Sequence, residues 1–358
     1  MRLSVVCCCD WKGFVRIAAE GKAGRMGVAL PDSASPEMRE AVSWLVGETN
    51  QGTSKAYDVY KRQFVEWCAN KGYVSFPAAP EVVVLFMKEC IELRGLAAST
   101  VSKSIPAAIA DDYRFSGLPS PTLSPLVKAA KQIAVRKGKA PKPKKPLQPV
   151  QLRKVLASLV KPGASFLELR DAFVFVLLYL GMLRASNVSW LRREDVWVEK
   201  DEETKEEVLF IFVSKMKNDQ ERKGNTVVLA AAGAAEFCPV SLFRRYCAAR
   251  RASADALIHQ NNNDQGLSSN TVNSIFKKRL QAAYPDEDIS EFASHSGRKG
   301  GATAAAAAEV QERLLRRHGG WKSDAVYVYI YEAMPNRLAV SRGIYSRLCR
   351  GSEVALLQ

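Results

Sequence analysis

No stretch of this 358-residue chain approaches the run of about eighteen apolar residues that a membrane-spanning helix needs, so a membrane partner is not expected. Its eight cysteines include no Cys-x-x-Cys pair and no Cys/His spacing of the kind that holds zinc. Cys68 and Cys90 fall within apolar helical patterns and read as small buried hydrophobes, which fits a reducing, intracellular compartment. No internal repeat is visible. The most telling absence is of acids. From Tyr113 to Leu167 there is no Asp or Glu, while twelve residues are Lys or Arg. The acids gather instead between Glu194 and Glu207, where eight of fourteen residues are acidic. With a net charge of +15, a one-signed stretch of that length points to a polyanion, and nucleic acid is the first candidate. A solvated basic linker is the plainer reading of part of it.

Length exceeds that of a typical single domain, so two domains and a tail are expected. Met1 to Cys9 carries a basic residue and a short apolar run, but Trp11 and Lys12 end it too early for a secretory signal. Residues 1–38 therefore read as a weakly ordered extension. Residues 39–136 read as all helical. Thr53 or Ser54 caps a helix carrying Tyr57, Tyr60, Phe64 and Trp67, and Gly72 stops it. Pro80 opens a second helix that Gly95 closes. Ser99 caps a third, which Pro106 should bend or restart. A fourth runs from Pro125 to Val135. The aromatic stripe on the first helix reads as core.

Residues 137–149, with Lys-Gly-Lys, Pro-Lys-Pro and Lys-Lys-Pro, neither make a helix nor pack a core and read as an extended basic linker. Lys103, Lys128, Lys131, Arg136, Lys137, Lys139, Lys142, Lys144 and Lys145 are the candidate phosphate contacts along this basic stretch. Two domains joined by such a linker can close around a duplex as a clamp. Residues 150–358 read as mixed: an apolar helix from Leu167 to Leu180, a short helix from Arg184, then strands at Asp195–Val198, Val208–Val213 and Thr226–Leu229. From Pro239 the pattern is helical to the end. The fold expected is mainly α with a small antiparallel β-sheet, a helical domain followed by a mixed α+β domain.

Chemistry concentrates near the C-terminus. His295 and Arg298 lie one helical turn apart, so both face one point. Trp321 and Tyr329 follow, supplying an indole N–H and a phenol. That set suits a phosphodiester whose non-bridging oxygens need donors while a tyrosine attacks phosphorus. Arg184, after the apolar helix, would give a second guanidinium fork. Such fixed donors are the main electrostatic lever of a metal-free enzyme, and no cofactor is expected. A lysine on the turn after the second strand, Lys217 or Lys215, suits a general acid for the leaving 5′ oxygen. Tyr327 and Tyr331 flank Tyr329 at two-residue spacing, so at most one of the three faces the site. A phenol with an ordinary pKa of about 10 needs a nearby base or a cationic pocket to attack at neutral pH.

The order of these pieces resembles the tyrosine recombinase, or phage integrase, family over roughly Ser35 to Tyr345. Arg in a Gly-x-x-Arg-x-Ser turn, Lys in a hairpin, His-x-x-Arg, His or Trp, and Tyr match Arg184, Lys217, His295, Arg298, Trp321 and Tyr329. Gly320-Trp-Lys-Ser-Asp-Ala with a tyrosine eight residues past the Trp resembles eukaryotic mobile-element recombinases of the DIRS-like and Crypton-like groups. That comparison favours Tyr329 as nucleophile and, through Lys-Asn-Asp-Gln-x-x-x-Gly, Lys217 over Lys215. The front segment is similar to the family's core-binding domain, through Thr53-x-x-x-Tyr57, Phe64-x-x-Trp67-Cys68 and Ser99-Thr100-Val101.

The resemblance implies a strand-exchange enzyme acting on double-stranded DNA through a 3′-phosphotyrosyl link, without metal or ATP. It also implies a tetrameric synapse, the helix from Asn336 to Cys349 docking on a neighbour, and, in a eukaryotic host, a nuclear location. One departure stands out: many relatives carry an acid three positions after the first arginine, where this chain has Asn187. The rival readings are a catalytically lapsed DNA-binding protein, a type IB topoisomerase-like activity, and a basic scaffold for RNA or chromatin.

Overall fold

The computed structural model describes residues 35–47, 51–114, 116–139, 143–214, 223–232, 237–250, 255–259, 265–331, 338, 341, 342 and 344. Residues 1–34, Lys142, Lys215 and Lys217, and most of the 336–349 segment lie outside the described residues. The chain divides into two compact units, Met1–Pro141 and Lys142–Gln358. Among the described residues no helix is long and apolar enough to cross a membrane.

The first unit is helical: α1 (Pro36–Gly47), α2 (Gln51–Lys71), α3 (Pro80–Glu92), α4 (Ile105–Asp112) and α5 (Pro125–Lys137). Prolines at the starts of α3 and α5 fit positions whose N–H has no helical partner. Its core joins Phe64, Trp67 and Cys68 of α2 to Phe86, Met87 and Cys90 of α3 and to Val101, Ile105 and Val127. The aromatic stripe is thus core, with Phe64 and Trp67 each 5.2 Å from the Phe86 ring. Inside this unit Lys61 is buried between the carboxylates of Asp111 (2.9 Å) and Asp112 (2.7 Å).

Local signals missed some boundaries. Helix α2 begins at Gln51, so Thr53 and Ser54 lie within its first turn instead of capping it. Ser99 already has helical angles and makes no side-chain cap. A single π turn over Thr100–Ser104 leads into α4, because Pro106 supplies no N–H to continue a regular ladder. Helix α1 starts within the segment read as extension, and α5 runs to Lys137, within the segment read as linker. Ser124 does cap α5, accepting from the Leu126 N–H at 3.3 Å.

The second unit carries α6 (Pro149–Leu159), α7 (Phe166–Tyr179) and α8 (Ala185–Trp190). Strands β1 (Val196–Lys200), β2 (Glu207–Val213) and β3 (Asn225–Ala230) form an antiparallel sheet in the order β1-β2-β3. Then come α9 (Pro239–Ala249), α10 (Ser269–Ala283), α11 (Ser294–Ala307) and α12 (Glu312–Gly319). Helix α7 is apolar on every side and buried throughout Leu169–Tyr179, which makes it the axis of the unit. Ser165 and Glu168 close its N-terminus reciprocally. Helices α6, α9, α10 and α11 pack on α7, and Leu209, Ile211, Val227 and Leu229 seat the inner face of the sheet in the same core. The mainly helical fold with a small antiparallel sheet is the one expected.

Candidate active site

Two chain breaks and one glycine-faced helix build the site. Helix α7 ends at Tyr179, and beyond Gly181 Met182 turns the chain with φ +49°, a left-handed conformation rare outside glycine. Arg184 is extended, and its backbone N–H donates to Asn187 Oδ1 at 3.2 Å, closing the start of α8. Asn187 is buried.

Helix α11 lies against the last turn of α7 because three of its residues have no Cβ. A methyl at Gly301 would stand 2.1 Å from Tyr179 O, and one at Gly297 would stand 3.0 Å from Leu178 Cβ. Gly300 makes the same close approach to Leu147 O, at 2.1 Å. This contact carries Arg298 into the interior, where 1% of it is exposed. Its guanidinium donates to Met182 O and, at 2.9 Å, to Gly319 O. The left-handed turn at Met182 and the end of α12 together therefore fix its plane.

Helix α12 ends in a left-handed Gly320 (φ +65°), with Trp321 N–H returning to Arg316 O at 2.9 Å. Trp321 folds back so closely that a Cβ on Gly319 would stand 1.8 Å from its ring. The Arg298 guanidinium lies 4.1 Å from the Trp321 ring centroid and 5.0 Å from that of Tyr329. Two buried donors make no hydrogen bond here: Arg298 Nε and Trp321 Nε1.

Tyr329 follows a 3₁₀ turn over Asp324–Val328. Its hydroxyl lies 3.1 Å from His295 Nε2, and its ring packs 5.2 Å from Trp321. Thr303 of α11 holds its backbone, donating to Tyr329 O at 3.3 Å and accepting from Tyr331 N–H at 3.0 Å. Tyr327 is exposed and donates to Glu312, whose carboxylate pushes its pKa up. Tyr331 is exposed as well. Of the three tyrosines, Tyr329 alone has a described contact with His295, Arg298 and Trp321.

Although His295 keeps an exposed face, desolvation by the surrounding protein pushes its imidazole below the usual 6.5, and the positive charges of Arg298, Arg184 and Lys299 push it the same way. The ring is therefore neutral at pH 7. Burial, reinforced by Arg184, brings Arg298 down to about 10, so it stays charged at neutral pH. Arg184 thus lies within electrostatic reach of both.

Five of the six expected site residues converge; the sixth, Lys217, lies outside the described residues with its rival Lys215. The basic stretch fares less evenly. Lys103, Lys128, Arg136 and Lys139 are exposed and Lys131 is half-buried. Lys137, in contrast, pairs with Glu92 at 3.2 Å, Lys144 donates to Ser290 O at 2.7 Å, and Lys145 pairs with Glu291. Those three are engaged within the protein because acids and carbonyls distant in sequence fold beside them.

Sequence reasoning missed Met182 and Gly319, whose carbonyls hold Arg298, and His318. Its Nε2 donates to Leu180 O at 2.7 Å, pinning α12 to the end of α7. A His-Gly-Gly-Trp string was the only available hint for His318, and Met182 offers none.

The profile of the phage integrase family matches residues 145–336, more than half of the chain. The chain belongs to the phage integrase family. It is a tyrosine-type DNA recombinase. It is 28% identical over 288 residues to an integrase/recombinase XerD homolog of Selenomonas ruminantium, covering 78% of this chain and 81% of that one. Its fold is similar to XerH site-specific recombinase, solved with palindromic difH substrate (TM-score 0.55, 15% identity, 80% of this chain and 76% of that one). The Tn1549 transposon integrase, solved with transposon right end DNA, is similar to the same degree (TM-score 0.55, 15% identity, 87% and 98%). A lambda integrase dimer on a COC′ core site gives 0.53, with 14% identity over 83% and 76%.

Proposed function

We propose that this recombinase cuts and rejoins double-stranded DNA through Tyr329. In cleavage, Tyr329 Oη bonds to phosphorus as the bond to the 5′ oxygen breaks, leaving a 3′-phosphotyrosyl link and a free 5′-hydroxyl. His295 Nε2, neutral and in hydrogen-bonding reach, takes the phenolic proton. Lys217 is assigned to return a proton to the 5′ oxygen. Arg184, Arg298 and the Trp321 indole N–H hold the non-bridging oxygens, whose charge rises in the transition state. One phosphoester is exchanged for another, so a different 5′-hydroxyl reseals the link without an external energy source. The observation that carries this reading is the pair of buried, unsatisfied donors, Arg298 Nε and Trp321 Nε1, in the residues packed around the Tyr329 ring.

Asn187 does not favour a lapsed enzyme: its Oδ1 already holds the Arg184 backbone, a task that needs an acceptor and not a charge. The resemblance to mobile-element recombinases extends the proposal to a tetrameric synapse on element ends, working in the nucleus where the host is eukaryotic. The helical unit and the basic segment after it would form the other half of a clamp, with Lys103, Lys128, Lys131, Arg136 and Lys139 on phosphates.

The test uses nicked suicide DNA made from the source element's terminal repeats, incubated in EDTA and run on a denaturing gel. A covalent band from the wild type and none from Tyr329→Phe, at equal DNA binding, is expected. A band that survives in Tyr329→Phe moves the nucleophile to Tyr327 or Tyr331.

A further inference from the structure

Residues 143–147 leave the second unit's surface only in part. Pro146 and Leu147 are buried, Leu147 with 1% exposed, inside the core that α7 organises. Lys145 N–H donates to Glu291 O at 3.0 Å, and Leu147 N–H donates to Ser296 O at 2.9 Å. These two bonds, made by alternate residues, stitch an extended segment onto the turn before α11 and onto its first turn. Side chains add a second row. Lys144 Nζ donates to Ser290 O at 2.7 Å, Lys299 Nζ donates back to Lys144 O at 3.1 Å, and Lys145 pairs with Glu291. Gly300 completes the contact, since any Cβ there would meet Leu147 O.

Ser296, which receives the Leu147 bond, lies between His295 and Arg298. The segment is thus fastened to the first turn of the one helix that carries both groups.

We propose that residues 143–147 are a positioning strap for α11, setting where His295 and Arg298 stand relative to Tyr329. Lys144 and Lys145 serve this strap and not the DNA. Leu147 is the buried anchor. The proposal rests on the Tyr329 chemistry described above.

The test measures single-turnover adduct formation on suicide DNA at saturating protein, with DNA affinity across a salt series and the melting temperature alongside. Leu147→Ala is expected to slow adduct formation about tenfold or more, since displacement by about 1 Å costs up to a hundredfold, while affinity changes less than twofold. Lys145→Glu slows it too, and the Lys145→Glu/Glu291→Lys double variant restores it, a rescue that no DNA contact would give. Lys144→Gln and Lys145→Gln leave the salt slope of binding unchanged.

An undiminished rate in Leu147→Ala, no rescue by the charge swap, or a slope that falls by about 0.9 for each lysine overturns the strap. If Leu147→Ala fails to fold, the exposed charge-swap series carries the test. If the wild type forms no adduct, the Tyr329 reading fails, and the strap is then read from His295 by NMR titration. Its midpoint moves up toward 6.5 in the single charge variant and returns in the double variant; an unmoved midpoint overturns the strap.

Discussion

Trp321→Phe separates the two tasks assigned to one side chain. The ring is 6% exposed and fills the junction between Met182, Ala302, Leu315 and Val326, with Arg298 and Tyr329 on its faces. Phenylalanine keeps most of that packing and loses two ring carbons, at a cost of about 1–2 kcal/mol. It also removes Nε1, a buried donor without a partner, which relieves about 1–3 kcal/mol of desolvation. The two effects offset each other to within about 1 kcal/mol, which for a unit of this size is a melting shift of about 2–4 °C. Catalysis has no such compensation. Removing one donor aimed at developing charge costs about 10²–10³ in rate, or about 2.7–4 kcal/mol. Differential scanning fluorimetry and single-turnover adduct formation, run on the same preparation, read the two quantities independently. Wild-type rate at unchanged stability refutes the indole as a phosphate donor. A rate loss accompanied by a melting drop well beyond 4 °C assigns Trp321 to packing alone.

The pH dependence has a definite sign. With neutral His295 as the proposed proton acceptor and its pKa lowered from 6.5, adduct formation is expected to rise with pH through a midpoint below 6.5. A midpoint above 6.5 in the single-turnover profile contradicts this. Stability follows the same groups. Desolvation lowers half-buried His318 and, in part, the exposed His295, so the unfolded chain takes up protons first; their contribution is complete above 6.5 and is lost as pH falls toward the folded values. A melting temperature that climbs between pH 7 and 5.5 runs against it. Gly319→Ala places a methyl within 2.5 Å of three Trp321 ring atoms and displaces the carbonyl that holds Arg298. It should cost about 1–3 kcal/mol in urea unfolding and slow adduct formation, and full stability with full rate would show that the Gly-Gly turn is slack.

The reading from residues alone reached the helical unit, the meander and the converging site because each leaves a local trace. Period-3.6 stripes marked α2 and α3, a strongly apolar run marked α7, and β-branched runs marked β2 and β3. The three-residue spacing put His295 and Arg298 on one turn of α11. What stayed hidden is set by contacts between distant segments. Nothing near Arg298 in sequence announces Met182 O or Gly319 O, and a methionine at φ +49° contradicts the local rule that reserves such angles for glycine. Ser99 looked like a cap, yet the π turn needed ahead of Pro106 took its backbone into the helix. Lys144 and Lys145 carried the same charge as their neighbours. Only the fold brought Ser290 and Glu291 to them, so composition ranked them with the other candidate phosphate contacts.

Thr303 ties the Tyr329 segment onto α11 of its own chain, one hydroxyl bridging Tyr329 O and Tyr331 N. The Tyr329 phenol and the Arg298 pocket thus sit together within one polypeptide, joined through a single threonine hydroxyl.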